Sequence, residues 1–235
     1  MQYQGSKRRI AKEILPIILE NRQEGQLYVE PFVGGCNSIQ HVTGRRWGND
    51  SHKELIAMWV KLLQGWAPPE TISEEEYMFI KSHKHLFEDH LLGIVGFGAS
   101  FGAKWWGGYA RSNEPDYTPS NTRFHQFMRS LMKQLPLLDG VTFTNLNYED
   151  MVFKEKSVIY CDPPYANTTK YKHSFDSDKF FEWCREKSSD GHTVFVSEYS
   201  APKDFKCVFE KSVHALLNNN VASTKANITE KLYKV

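Results

Sequence analysis

Residues 156–171 read KSVIYCDPPYANTTKY, and this stretch limits the fold more than any other. The apolar run Val158-Ile159-Tyr160-Cys161 has the length and character of a buried strand. Proline lacks the N–H that a central strand donates, so Pro163-Pro164 must end the strand at Asp162. Proline also holds the residue before it extended. A carboxylate (Asp162) and an aromatic ring (Tyr165) are thereby fixed on a stiff corner at a strand's C-terminal end. In open α/β sheets, ligands bind at that end. A plain strand-to-loop stop would read the same way.

The rest of the chain supplies such a sheet. Residues 7–20 place Ile10, Ile14, Ile17 and Ile18 at helical spacing, with Pro16 expected to kink or split the helix. A short strand at 26–29 runs into Glu30-Pro31-Phe32-Val33-Gly34-Gly35, and 38–42 reads as a helix start. A second strand at 46–49 ends at Asp50, and a helix over 54–63 buries Leu55, Met58, Trp59 and Leu62. Strand, glycine turn, helix, strand opens a doubly wound sheet. Strands return at 141–145, 157–161 and 193–197. A helix at 176–188 is capped by Asp176 or Ser177, and runs at 208–217 and 228–235 suit a closing antiparallel hairpin. Between them, 65–136 holds helical pieces at 73–81 and 122–134 around GFGASFGAKWWGGYARSNEPD, residues 96–116. Its glycines are too dense for a stable core element, which predicts a mobile hairpin or loop. The fold class expected is α/β, a doubly wound sheet with a mainly helical insertion. The sheet domain spans 1–60 and 138–235, and the insertion 61–137.

Composition narrows the function classes. Of 235 residues, 40% are hydrophobic and 24% charged, and no stretch approaches the roughly 20 apolar residues of a membrane span. The basic N-terminus has no apolar signal core after it, so secretion is not expected. The four cysteines, Cys36, Cys161, Cys184 and Cys207, form no C-x-x-C pair. Neither a zinc site nor a disulfide framework follows, and a cytoplasmic location fits. Net charge is only +1, but Lys7, Arg8, Arg9 and Lys12 form one basic segment. Lys104, Arg111, Arg123, Arg129 and Lys133 form another, as a phosphate-facing side would.

Glycines after a strand let backbone approach a ligand, with the next helix offering its amides. A carboxylate at the end of the following strand, here Asp50, binds ribose hydroxyls in nucleotide-type sites. It would serve equally as a helix cap. Tyr3-Gln4-Gly5-Ser6-Lys7, Glu30-Pro31-Phe32-Val33-Gly34-Gly35, Asp50, an insertion and Asp162-Pro163-Pro164-Tyr165 follow one another in that order. In this order and spacing the chain resembles the Dam-type adenine-specific DNA methyltransferases. One departure is Gly34-Gly35-Cys36, where the family has glycine, a small residue, then glycine.

The resemblance implies S-adenosylmethionine as cofactor and the exocyclic amine of adenine in double-stranded DNA as methyl acceptor, within a bacterial or phage-infected cell. It implies a cofactor pocket of Tyr3, Lys7, Glu30, Phe32, Gly34, Asp50 and Asp162. The Asp162 carboxylate and the Pro163 carbonyl would accept the amine's two N–H bonds, exposing the nitrogen lone pair. Tyr165 would stack on a base taken out of the duplex. No metal is required, and a monomer is favoured.

The candidate DNA contacts are Lys104, Trp105, Trp106, Arg111 and Asn113 in the insertion, with Lys170 and Tyr171 after the proline corner. A small insertion core and a plain surface loop are the bland alternatives. His83, His85, Asp89 and His90 could suggest a metal cluster, but they lie on an acidic, helical segment. An RNA or other nucleobase amino-methyltransferase, or a catalytically silent nucleic-acid-binding relative, remains an alternative function.

Overall fold

The structure is a computed structural model that describes residues 1–111, 122–164, 175–214 and 227–235. Its centre is a seven-stranded sheet of β1 (Tyr28–Glu30), β2 (Arg46–Asn49), β3 (Val141–Thr144), β4 (Val158–Cys161), β5 (Thr193–Glu198), β6 (Lys206–His214) and β7 (Asn227–Lys234). The spatial order is β3-β2-β1-β4-β5-β7-β6. The first five strands run parallel. Only β7 runs against them, slotted between β5 and β6. The strand order reverses between β1 and β4, so the ends of those two strands flank the crevice where such sheets bind ligands.

Strand β4 shows how sequence periodicity divides the core. Val158 and Tyr160 enter one buried cluster, Ile159 and Cys161 the other. Successive strand residues face opposite sides, so a continuous apolar run marks a strand covered on both. One side is covered by α1 (Ala11–Leu19), α2 (Lys53–Leu63), α4 (Asp89–Gly98) and α5 (Arg123–Gln134), which contribute Ile14, Trp59, Ile94 and Phe127. The other is covered by α6 (Ser177–Ser189), through Phe180, Trp183 and Cys184. Local capping sets several starts. Ser73 and Glu76 form a reciprocal capping box on α3 (Glu74–Ser82). The Thr122 and Asp176 side chains accept from His125 N–H and Lys179 N–H.

Two sequence expectations are corrected and one is narrowed. Helix α1 runs through Pro16 without splitting. Residues 38–42 yield only a single 3-10 turn, Ile39–His41, before β2 begins, so no full helix follows the glycine pair. The glycine-dense stretch is not a loose element in its first half. Gly96 and Gly98 are buried in α4, a helix the sequence reading missed. A Cβ on Gly93 would lie 2.3 Å from the Glu54 carbonyl oxygen, and one on Gly96 2.3 Å from the Trp105 ring. These glycines are there because neighbours need the space.

Candidate active site

Strand β4 ends at Cys161, and Asp162 stands on the corner as expected. Its partner comes from the chain's first turn. The Ser6 hydroxyl accepts from Arg8 N–H and starts the 3-10 turn Lys7–Arg9. Lys7 is only 4% exposed. Its ammonium lies 3.0 Å from Asp162 Oδ1 and 3.3 Å from Glu230 Oε2 on β7. Burial works to lower the Lys7 pKa, but the two carboxylates outweigh it and hold it above the ordinary value. Burial likewise raises Asp162, and Glu230 adds to this against the pull of Lys7.

Two more acids border the corner. Glu30, at the end of β1, is buried and accepts from the Tyr28 hydroxyl at 2.8 Å. Burial pushes its carboxyl up to about 8, so it is largely neutral at physiological pH. Glu198 ends β5 beside the corner, accepts from Tyr199 N–H at 2.9 Å, and is pushed by burial to about 7.

The glycine turn is built tightly. Gly34 has φ +47°, a conformation that disfavours side chains. Asp50 Oδ2 accepts from Gly34 N–H at 3.0 Å and Oδ1 from His52 N–H at 2.9 Å. The Trp59 indole donates to the Gly34 carbonyl at 3.1 Å. The Tyr3 ring lies on the glycine pair: a Cβ on Gly34 would be 2.8 Å from Tyr3 Cε1, and one on Gly35 2.6 Å from Tyr3 Cβ. Gln134, the last residue of α5, donates to the carbonyls of Gly35 and Cys36 at 2.9 and 3.0 Å. Its oxygen accepts from the Met1 ammonium. An aromatic group continues outward, with Tyr3 against Phe97, Phe97 against His52 and Trp105, and His52 edge-on to Trp105 at 4.4 Å. His52 Nδ1 is buried without a hydrogen bond, with Glu54 Oε2 3.3 Å away.

Of the residues singled out in the sequence, Lys7 and Asp162 meet at one corner, with Glu30 bordering it, and Tyr3, Gly34 and Asp50 meet at the turn. Phe32 packs beside α6 with Tyr148, Phe175 and Phe180. In the insertion, Lys104 and Arg111 are exposed, Trp105 is half-buried and Trp106 is 7% exposed. Trp106 is therefore part of the core in this conformation. The Arg111 guanidinium clasps the Glu74 carboxylate through two nitrogens. Asn113, Tyr165, Lys170 and Tyr171 lie outside the described residues. The histidines have other work: His83 stacks on Phe79, His90 meets Trp66 edge-on, and Asp89 pairs with Lys53. The sequence reading missed Glu198, Glu230 and Gln134. Glu198 had the same signal as Asp162, an acid ending an apolar strand; Glu230 and Gln134 had none.

A family model for D12 class N6 adenine-specific DNA methyltransferases matches residues 3–92 and 107–234. The chain belongs to this family. It is a DNA adenine methyltransferase, and the matched segments carry both halves of the site, the Lys7–Asp162 corner and the Gly34–Asp50 turn. Residues 93–106, with the α4 glycines and Trp105, fall between the two matched segments of this D12 methyltransferase.

Proposed function

We propose that the enzyme transfers a methyl group from S-adenosylmethionine to the exocyclic amine of adenine in duplex DNA, with Asp162 receiving the amine and the 30–50 region receiving the cofactor. The observation that carries this reading is the Lys7–Asp162 pair, 3.0 Å apart at the end of β4. It holds a carboxylate at the crevice beside the switch in strand order.

The donor set suits the cofactor. Asp50 has acceptor capacity left for ribose hydroxyls after taking two backbone amides. His52 and Trp105 offer ring faces, and the orphaned His52 Nδ1 offers a buried polar atom next to Asp50. S-adenosylmethionine held by Asp50 and the Gly34 turn would supply a sulfonium-activated methyl group to the amine's lone pair, with the thioether as leaving group.

The chain's own residues prepare the amine. An exocyclic amine is a poor nucleophile because its lone pair delocalises into the ring. Asp162 and the Pro163 carbonyl accept its two N–H bonds and favour a pyramidal nitrogen. Lys7 fixes the carboxylate's direction before substrate arrives, so no reorganisation is needed during the reaction. Tyr165 stacks on the extruded base. The segment 61–137 carries target recognition through Lys104, Arg111 and Asn113, with Lys170 and Tyr171 on flanking phosphates.

The test is transfer of a tritiated methyl group to duplex DNA, single-stranded DNA and RNA, with the product nucleoside identified by mass spectrometry. N6-methyladenine in duplex DNA is expected. Labelling of RNA alone, or no labelling at all, would reject the reading.

A further inference from the structure

Lys7 serves two carboxylates, and only one of them belongs to the proline corner. Glu230 reaches Lys7 from the antiparallel strand β7, the last segment of the chain to join the sheet. Its side chain is 15% exposed and that of Asp162 21%, so neither interaction is a solvent-screened surface pair. A buried lysine held by one carboxylate would bind it as a closed ion pair. With two, the ammonium's charge is divided.

We propose that Glu230 is a positioning residue that draws part of Lys7's charge away from Asp162, leaving Asp162 basic enough to accept the proton that the methylated amine sheds. This rests on the methyl-transfer reading given above. The chemistry requires such an acceptor. The amine nitrogen becomes cationic once it carries a fourth bond, and it regains neutrality by losing one proton. Asp162, already hydrogen-bonded to that N–H, takes the proton and becomes a neutral acid, which then gives it up to water. An Asp162 locked to an undivided lysine would be a weaker base and a poorer acceptor.

Among the described residues, the groups that face Asp162 all enter the balance. They are Lys7 from the N-terminal turn, Glu30 at the end of β1, Tyr160 and Cys161 on β4, Glu198 and Tyr199 at the end of β5, and Glu230 on β7. Of the carboxylates among them, Glu230 lies 3.3 Å from the Lys7 ammonium, nearly as close as Asp162 at 3.0 Å. Removing its charge hands the lysine to Asp162.

The experiment uses the full chain with two variants, E230Q and E230D, both checked by thermal melting. In protein labelled with 13C at aspartate carboxyls, free of cofactor and DNA, the Asp162 titration midpoint is followed by NMR, with D162N identifying the resonance. It should fall by about one pH unit in E230Q. A smaller fall is expected in E230D, whose charge is drawn back by one methylene. The acid limb of the single-turnover methylation rate should move down with the midpoint, and the plateau should fall roughly tenfold with unchanged KM for DNA. An unchanged or raised midpoint in either folded variant overturns the proposal. Should E230Q not fold, E230D alone decides the sign. A wild type that methylates nothing defeats the underlying reading instead, and the NMR midpoint, which needs no turnover, keeps the two failures apart.

Discussion

The side-chain amide of Gln134 donates to the Gly35 carbonyl, 2.9 Å away, and so ties the last turn of α5 to the turn after β1. Gln134 is buried on a face otherwise made of Phe124, Phe127, Met128 and Leu131. Its loss would orphan the Gly35 carbonyl and leave the Cys36 carbonyl with only a long bond from Gln40 N–H, 3.4 Å away. We expect Gln134→Leu to cost about 1–3 kcal/mol of stability, since an unsatisfied buried acceptor carries a desolvation penalty. Binding of S-adenosylhomocysteine should weaken with it. Chemical denaturation and calorimetric titration check both, and a variant as stable as wild type would mean the turn holds itself.

Asp162→Ala should abolish methyl transfer while leaving the fold intact, because Lys7 keeps Glu230 as a partner. Asp162→Asn should retain some activity, as an amide oxygen still accepts a hydrogen bond. The loss in the alanine variant should be on the order of 10²–10⁴ in kcat. Full activity at a normal melting temperature would remove Asp162 from the mechanism.

Asp50 accepts from the Gly34 and His52 amides in addition to its proposed ligand role. Asp50→Ala should weaken S-adenosylhomocysteine binding by about 1.5–3 kcal/mol, the value of charge-assisted hydrogen bonds. Calorimetry decides: an unchanged dissociation constant would leave Asp50 as a turn-holding residue alone.

Glu30 predicts a pH dependence. Its folded carboxyl titrates near 8 against an ordinary 4.5, so the folded state holds its proton more tightly than the unfolded chain. Stability contributed by Glu30 is therefore full below pH 4.5 and is lost as pH rises toward 8. The change is on the order of 3–5 kcal/mol. Glu30→Gln, which can still accept from Tyr28, should flatten that slope. Urea denaturation across pH 5 to 8 measures it, and parallel slopes in the two proteins would contradict the assignment.

Arg111 is held by Glu74 in the free protein, so contact with DNA requires a change of partner. Both groups are well exposed, and such pairs exchange readily. If Arg111 meets a phosphate, Arg111→Ala should weaken binding on all sequences alike and lower the salt slope by about one. If it reads a base edge, preference among randomised duplexes should relax instead. Identical binding and preference would confine Arg111 to its pair with Glu74.

What could be read from the sequence was what is decided locally. The proline corner at Asp162, the strand end at Asp50 and the cap at Asp176 depend on residues a few positions apart, and each stands where expected. Helix α4 was illegible because its glycines disfavour a helix, and their reason lies in contact with Glu54, Trp105 and Phe127. Trp106 looked like a residue in search of a partner, yet its partners are Tyr77 and the ring of Trp105, with Lys84 over its face. Glu230 was hidden for the same reason. Its charge has meaning only beside Lys7, which comes from the opposite end of the chain.

The contact of Gly93 with the backbone of α2 has a consequence for how this enzyme can be altered. A helix that touches its neighbour's carbonyl has no slack, and the same helix goes on to meet the Trp105 ring and then Phe124 and Phe127 of α5. The segment between the two halves of the sheet is thus not a detachable cassette. A chimera that borrows another enzyme's segment must import small residues at 93, 96 and 98, or the graft will pry α2 away from the strand end where Asp50 stands.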